Sequence, residues 1–163
     1  MTKPSRLSRP FLLLFTGLLL TSAGSLSIPA ASPSPSDPWS AAQTISPADF
    51  AKELQLKHDR PRTIIYVGVR TLYSGGHIPG AVFQGPGSTG QGLANLKKFA
   101  ATLPKDANVV IYCGCCPLDR CPNLRPAFSA LHEMGLSNLR VLILPTSFAA
   151  DWVEKGYLVE KSS

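Results

Sequence analysis

Apolar positions in this chain follow two rhythms. In the first they run without a break. Residues 63–67 (Thr-Ile-Ile-Tyr-Val) and 108–112 (Asn-Val-Val-Ile-Tyr) are rich in β-branched and aromatic side chains and are bounded by turn formers, the pattern of buried strands. Residues 139–144 read as a further apolar strand, and 81–83 (Ala-Val-Phe) as a short one behind the glycine-rich turn Gly75-Gly76-His77-Ile78-Pro79-Gly80. In the second rhythm apolar residues return every three or four positions. Leu93, Leu96, Phe99 and Leu103 predict a helix over 92–103, and another over 124–134 closes at Gly135. Ser46-Pro47-Ala48-Asp49 opens a helix with Ser as cap, Pro first and Asp third, and Phe50, Leu54 and Leu56 supply its apolar face. Ser147 caps a last helix that runs through residue 155 and stops at Gly156. Within it Asp151-Trp152 places an indole in the core and an acid on the surface.

Strand and helix patterns alternate, and the strands show no polar face. That order predicts an α/β domain, a parallel sheet flanked by helices on both faces, over residues 46–160. In such sheets, ligand sites lie beyond the carboxyl ends of the strands. No internal repeat is visible.

Two stretches precede the domain. Lys3, Arg6 and Arg9 form a basic start, residues 11–20 are apolar apart from Thr16 and Gly17, and Ser22-Ala23-Gly24 follow. This is the pattern of a secretory signal peptide over 1–24, too short to span a bilayer comfortably; an uncleaved membrane anchor is the alternative. No cysteine follows the apolar run, which excludes a lipid-anchored lipoprotein, and no arginine pair precedes it, which speaks against twin-arginine export. Residues 25–45 read as a Ser/Pro-rich linker with too little apolar content to pack. The expected product is exported, periplasmic or secreted, with no stable membrane span after signal cleavage. The formal charge is +6, but the three basic residues up to Gly24 leave about +3 on the mature chain. With no basic stripe interleaved with aromatics, a nucleic-acid partner is not expected.

Candidate chemistry is concentrated in one place. All four cysteines, Cys113, Cys115, Cys116 and Cys121, fall within nine residues directly after the 108–112 strand. The thiolate, not the thiol, attacks electrophilic sulfur or binds metal. A loop that runs from a strand end to a helix start near Leu124 meets unpaired backbone N–H groups and partial positive charge. Both lower a thiol pKa and can cradle a sulfur anion. Arg120 and Arg125 add fixed cations. Three readings stay open on the residues alone: a reactive thiol loop, a thiolate site for a soft metal, and stapling disulfides. For a metal, Cu(I) fits somewhat better than Zn, because C-x-C-C-x4-C is not the paired spacing of structural zinc. Among disulfides Cys116–Cys121 is feasible, whereas the vicinal Cys115–Cys116 pair is strained. His77 stands among turn formers and reads as a turn histidine whose ring bonds backbone, with ligation or base catalysis as the alternative. Arg70, just after Gly68-Val69, is a candidate to pair with an acid or to rigidify its loop. His58 and His132 read as solvated.

These motifs together resemble the rhodanese family of sulfurtransferases. Gly76-His77-Ile78-Pro79-Gly80-Ala81 is similar to the family's G-H-I-P-G-A signature. It follows Ile65-Tyr-Val-Gly-Val-Arg70, where the family has a strand ending in D-x-R, and Gly68 stands in place of the Asp. Val109-Val-Ile-Tyr-Cys113 is similar to the strand that ends in the catalytic cysteine, and Asn123-Leu-Arg125-Pro-Ala127 to the G-x-R-S-A of the next helix. Gly135-Leu-Ser-Asn-Leu139 and Trp152-Val-Glu-Lys-Gly156-Tyr157 fit the last strand and helix. The Gly-Gly before that helix is replaced around Pro145-Thr146, and the active loop is longer, with Arg125 twelve residues after Cys113. The C-x5-R loop of phosphatases that share the fold has no match. The resemblance implies a rhodanese-like three-layer domain that needs no cofactor and carries sulfane sulfur as a persulfide. On that pattern Cys113 is the acceptor and Arg125 stabilises the anion. Cys115, Cys116, Cys121, Arg120, His77 and Arg70 support or resolve it. The implied partners are a small sulfur donor and a thiol acceptor, which can be a protein. The alternative is a rhodanese-fold module that binds a soft metal such as Cu(I) or Zn, or cycles a disulfide, without sulfur transfer.

Overall fold

The computed structural model describes residues 37–56 and 61–162. The signal segment, residues 25–36 of the linker and His58 lie outside the described residues. Five strands, β1 (Thr44–Ile45), β2 (Arg62–Tyr66), β3 (Ala81–Phe83), β4 (Asn108–Tyr112) and β5 (Leu139–Leu142), form one sheet in the order β1-β5-β4-β2-β3. Every pairing is parallel. The helices are α1 (Pro47–Gln55), α2 (Arg70–Gly75), α3 (Gly90–Ala100) and α4 (Leu124–Glu133).

Successive strand side chains point to opposite faces, so each strand feeds two cores. Ile65, Val67, Val109, Ile111 and Val141 pack with Leu96 of α3 and with Leu124, Phe128 and Leu131 of α4. Ile64, Tyr66, Val110, Tyr112 and Leu142 pack with Phe50 of α1 and with Trp152. The result is the expected three layers, with helices on both sides of a parallel sheet. Central β4, between β5 and β2, delivers Cys113 from inside the fold. Ser46 caps α1 as expected, its Oγ accepting the Asp49 N–H at 3.1 Å.

Several elements differ from the sequence reading. Residues 37–45 are folded and not a linker. Trp39 is 4% exposed and packs edge-on against Phe128 at 5.4 Å, and a 3-10 turn at Ala41–Gln43 leads into β1. A single indole on an apolar helix face outweighs the polar composition around it. Helix α2 occupies what reads as loop. Strand β5 stops at Leu142 and is not uniformly apolar, because Arg140 pairs with Glu53 at 2.9 and 3.0 Å. Of the last helix, only Ala149–Val153 is an element, and it is π-type. Trp152 is buried as expected, but Asp151 is not a free surface acid: its Oδ2 accepts the Thr146 and Ser147 N–H groups at 2.6 and 2.9 Å.

Candidate thiol site

The site begins where β4 ends. Cys113 is 0% exposed. Gly114 has φ +81°, and a Cβ on it would stand 2.6 Å from Phe148 Cβ, so only glycine lets the chain turn here. Gly114 O accepts the Phe148 N–H at 3.0 Å, and Leu118 N–H donates to Pro145 O at 3.3 Å. These bonds fold the loop back against the segment after β5. A 3-10 turn at Leu118–Arg120 then carries the chain to Cys121, which is 3% exposed, just ahead of α4.

The fold gathers the four sulfurs. Cys113 Sγ lies 3.2 Å from Cys115 Sγ, which lies 3.1 Å from Cys116 Sγ. The sulfurs of Cys113, Cys115 and Cys121 are all within 4.8 Å of one another. Cys116 instead points its thiol at Arg120 O, 3.8 Å away. All four are free thiols.

Asn123 organises this cluster, and sequence reasoning missed it. It is 3% exposed and sits at the cap position of α4, yet its side chain makes no cap bond. Its Oδ1 accepts the Ser88 N–H at 3.1 Å and the Ser88 hydroxyl at 2.8 Å. That orients the amide, because a backbone N–H needs an acceptor. Its Nδ2 therefore faces the thiols, donating to Cys113 Sγ at 3.3 Å and Cys115 Sγ at 3.6 Å. Asn at a helix start reads first as a cap, so its type and position alone do not reveal this role.

The thiols are not equivalent. The hydrogen bond from Cys113 pulls Cys121 down to about 6; burial opposes this, and the Asn123 and Leu124 N–H groups at the start of α4 add to it. Cys113 is pushed up, first by that same bond and then by burial. Burial raises Cys116 to about 12. The surroundings thus favour negative charge on Cys121, where helix-start amides face it.

The arginines and histidine take other places. Arg125 Nη1 donates to Leu118 O at 3.1 Å and Cys121 O at 3.3 Å, and its Nη2 meets Asp37 Oδ1 at 2.6 Å. These contacts make it a brace for the loop backbone. The resemblance implies a guanidinium on the sulfur anion; here it meets Leu118 O, Cys121 O and Asp37 instead. Arg120 is exposed. Arg70 lies over the Phe83 ring at 4.0 Å. His77 is a buried turn histidine: its Nδ1 is 2.8 Å from Tyr73 O, it stacks on Tyr73 at 3.9 Å, and its Nε2 is 3.9 Å from Glu160 Oε2. The Tyr112 hydroxyl ties this turn to β4 by accepting the Ile78 N–H at 3.0 Å. The structure thus brings Cys113, Cys115, Cys116 and Cys121 together and places His77 in a neighbouring turn and Arg70 at the start of α2. His132 is exposed, as expected.

The donor set suits a soft cation. Three cysteine sulfurs within 4.8 Å of one another, once deprotonated, would match the ligand preference of Cu(I) and be acceptable to Zn. Among the described residues no helix is long and apolar enough to cross a membrane.

No protein-family model and no curated protein matches the sequence. Solved structures do. The Alr3790 protein from Anabaena sp. aligns with a TM-score of 0.56 at 20% identity, over 72% of this chain and 82% of that one. A solution structure of the rhodanese-like domain of Alr3790 gives 0.56 at 21% identity, over 74% and 80%. The BH2092 protein from Bacillus halodurans gives 0.54 at 20% identity, over 72% and 76%. Five parallel strands between two helical layers, with the cysteines leaving the central strand, agree with these alignments: the chain has the rhodanese-like fold, with a cysteine-rich loop at the carboxyl end of β4.

Proposed function

We propose that this chain is an exported sulfurtransferase that takes sulfane sulfur from a small donor as a cysteine persulfide and passes it to a thiol acceptor. The observation that carries the reading is the gathering of the cysteine sulfurs at the end of β4, Cys113, Cys115 and Cys121 within 4.8 Å of one another, with Cys121 against the start of α4, whose N–H groups favour its thiolate. Cys121 takes the attacking role that the sequence pattern gives to Cys113. Its thiolate attacks the outer sulfur of a donor such as thiosulfate. A bond forms between Cys121 Sγ and the sulfane sulfur, and the bond from that sulfur to the rest of the donor breaks, its electron pair leaving with sulfite. An acceptor thiolate then attacks the outer sulfur and returns Cys121 to the thiolate. The Asn123 and Leu124 N–H groups hold charge on Cys121 through both steps. The half-buried stretch 114–118 is the approach for the donor, since Cys113 and Cys121 are themselves enclosed. Export follows from the basic start and the apolar run, and the partners are a sulfane donor and a thiol, free or on a protein.

A second reading, a soft-metal thiolate module, is favoured by the convergence of Cys113, Cys115 and Cys121. Intact mass and metal content of the mature protein, purified under reducing conditions without added metal, decide between them. A gain of one sulfur after thiosulfate, with no stoichiometric metal, supports sulfur transfer. Stoichiometric Cu(I) or Zn with no sulfur gained supports the second reading.

A further inference from the structure

The Tyr66 side chain is 2% exposed, and its hydroxyl has no hydrogen-bond partner among the described residues. A buried hydroxyl left this way has lost its hydration without replacement. The ring is held by Tyr112 at 5.1 Å, Tyr73 at 5.5 Å and Phe83 at 6.2 Å. Its hydroxyl projects past Gly68. A Cβ at position 68 would stand 2.5 Å from Tyr66 Oη and 3.0 Å from Cys113 Sγ. The phenol and the thiol thus share the space that any side chain there would take. Asn123 Nδ2 reaches the same sulfur at 3.3 Å. One donor to Cys113 is in place, and a second, without an acceptor, borders the same space over Gly68.

We propose that Tyr66 is a positioning residue for Cys113: its hydroxyl donates to Cys113 Sγ as that sulfur takes up charge and attacks a persulfide on Cys121. The inference rests on the persulfide reading above. In the step, a bond forms between Cys113 Sγ and Cys121 Sγ. The bond from Cys121 Sγ to the outer sulfur breaks, and the outer sulfur leaves as HS⁻ with the bonding pair and the proton of Cys113. The two cysteines end oxidised as a disulfide, the sulfane sulfur leaves reduced as sulfide, and an external dithiol reopens the disulfide. The site then has two outlets, transfer to an acceptor or release as sulfide, and Tyr66 governs the second. Burial, with a smaller contribution from Cys113, pushes the Tyr66 pKa up, so the hydroxyl keeps the proton it donates.

The test compares Tyr66→Phe, which keeps the ring packing, with Tyr66 protein, both in a Cys115→Ser/Cys116→Ser background. Methyl methanethiosulfonate, small enough for an enclosed thiol, places a methylthio group on Cys121. Attack by Cys113 then expels methanethiol and leaves the disulfide, followed by quenched mass spectrometry. The expected result is an unchanged first phase and a second phase slowed about tenfold in Tyr66→Phe, the effect of losing one hydrogen bond to a charged sulfur. Equal second phases, both phases slowed alike, or a Cys121 that takes up no methylthio group would each overturn the inference. Thiosulfate loading of the same proteins separates it from the reading beneath. No sulfur gained with a slowed second phase defeats the persulfide reading and keeps Tyr66 as the residue behind Cys113. Sulfur gained, and sulfide released equally fast from both proteins, defeats the Tyr66 assignment alone.

Discussion

Cys113 and Cys121 are both buried cysteines of one loop, and their surroundings separate them. Cys121 faces backbone N–H groups and a thiol donor; Cys113 is enclosed, donates a hydrogen bond to Cys121 and keeps its proton. Alkylation of Cys121 should therefore rise through an apparent pKa of about 6, against an ordinary value of 9.0, and stay flat at higher pH. The sign follows from the depressed acid: below pH 6 the proton returns and the rate falls about tenfold per unit. Rates of iodoacetamide labelling, read peptide by peptide, check this, and a Cys121 that titrates near 9.0 would contradict it. Gly68 gives a second residue-scale prediction. Gly68→Ala forces a methyl group to within 2.5 Å of Tyr66 Oη and 3.0 Å of Cys113 Sγ. Urea unfolding should show a loss of about 1–3 kcal/mol. Gly75→Ala, with nothing within 4 Å of the added carbon, should change stability by less than about 0.5 kcal/mol.

At the scale of elements, the loop is held from three directions. Beneath it β4 is buried on both faces, behind it the segment after β5 bonds to Gly114 and Leu118, and beside it Arg125 links two loop carbonyls to Asp37. The Asp37 and Trp39 segment is therefore part of the site's support. Trp39→Ala should lower unfolding stability by about 3–5 kcal/mol, as a buried large-to-small change does. A fragment starting at residue 46 should be destabilised at least as much, while a free linker at 37–45 would make both changes neutral. What could be read from the sequence at this scale depended on repetition. The unbroken runs at 63–67 and 108–112 and the helical spacing of Leu93, Leu96 and Phe99 repeat the same signal several times, and they placed β2, β4 and α3. Trp39 is one apolar residue in a Pro- and Ser-rich stretch, and a pattern read over many residues averages it away. Arg140 is visible as the one charge in the 139–144 run, but its partner, Glu53, is far off in sequence, so the pairing is not legible there. The site divides the same way. Four cysteines at a strand end were legible, but which sulfur carries charge depends on how residues 114–120 fold back. The roles of Asn123 and Tyr66 depend on Ser88 and Gly68, contacts made only once the chain is closed.

For the whole molecule, the parallel sheet sets the site beyond the end of its central strand, and the export we propose would put those thiols in an oxidising compartment. Where thiols tend to oxidise, a loop of four cysteines needs a supply of reducing dithiol to keep turning over. The proposed export predicts that the first residue of the mature protein recovered outside the cytoplasm falls between about Ser22 and Ser34, as N-terminal sequencing would read; retention of Met1 on that protein would contradict it. The central claim is that Cys121 holds the transferred sulfur and Cys113 does not. The most direct measurement is intact and peptide mass spectrometry of the wild type and of each single Cys→Ser variant after brief treatment with thiosulfate. The account predicts one added sulfur on the Cys121 peptide of the wild type, no added sulfur in Cys121→Ser, and a persistent added sulfur in Cys113→Ser, where the resolving thiol is missing. Sulfur gained by Cys121→Ser and lost from Cys113→Ser would contradict it, returning the attack to the end of β4.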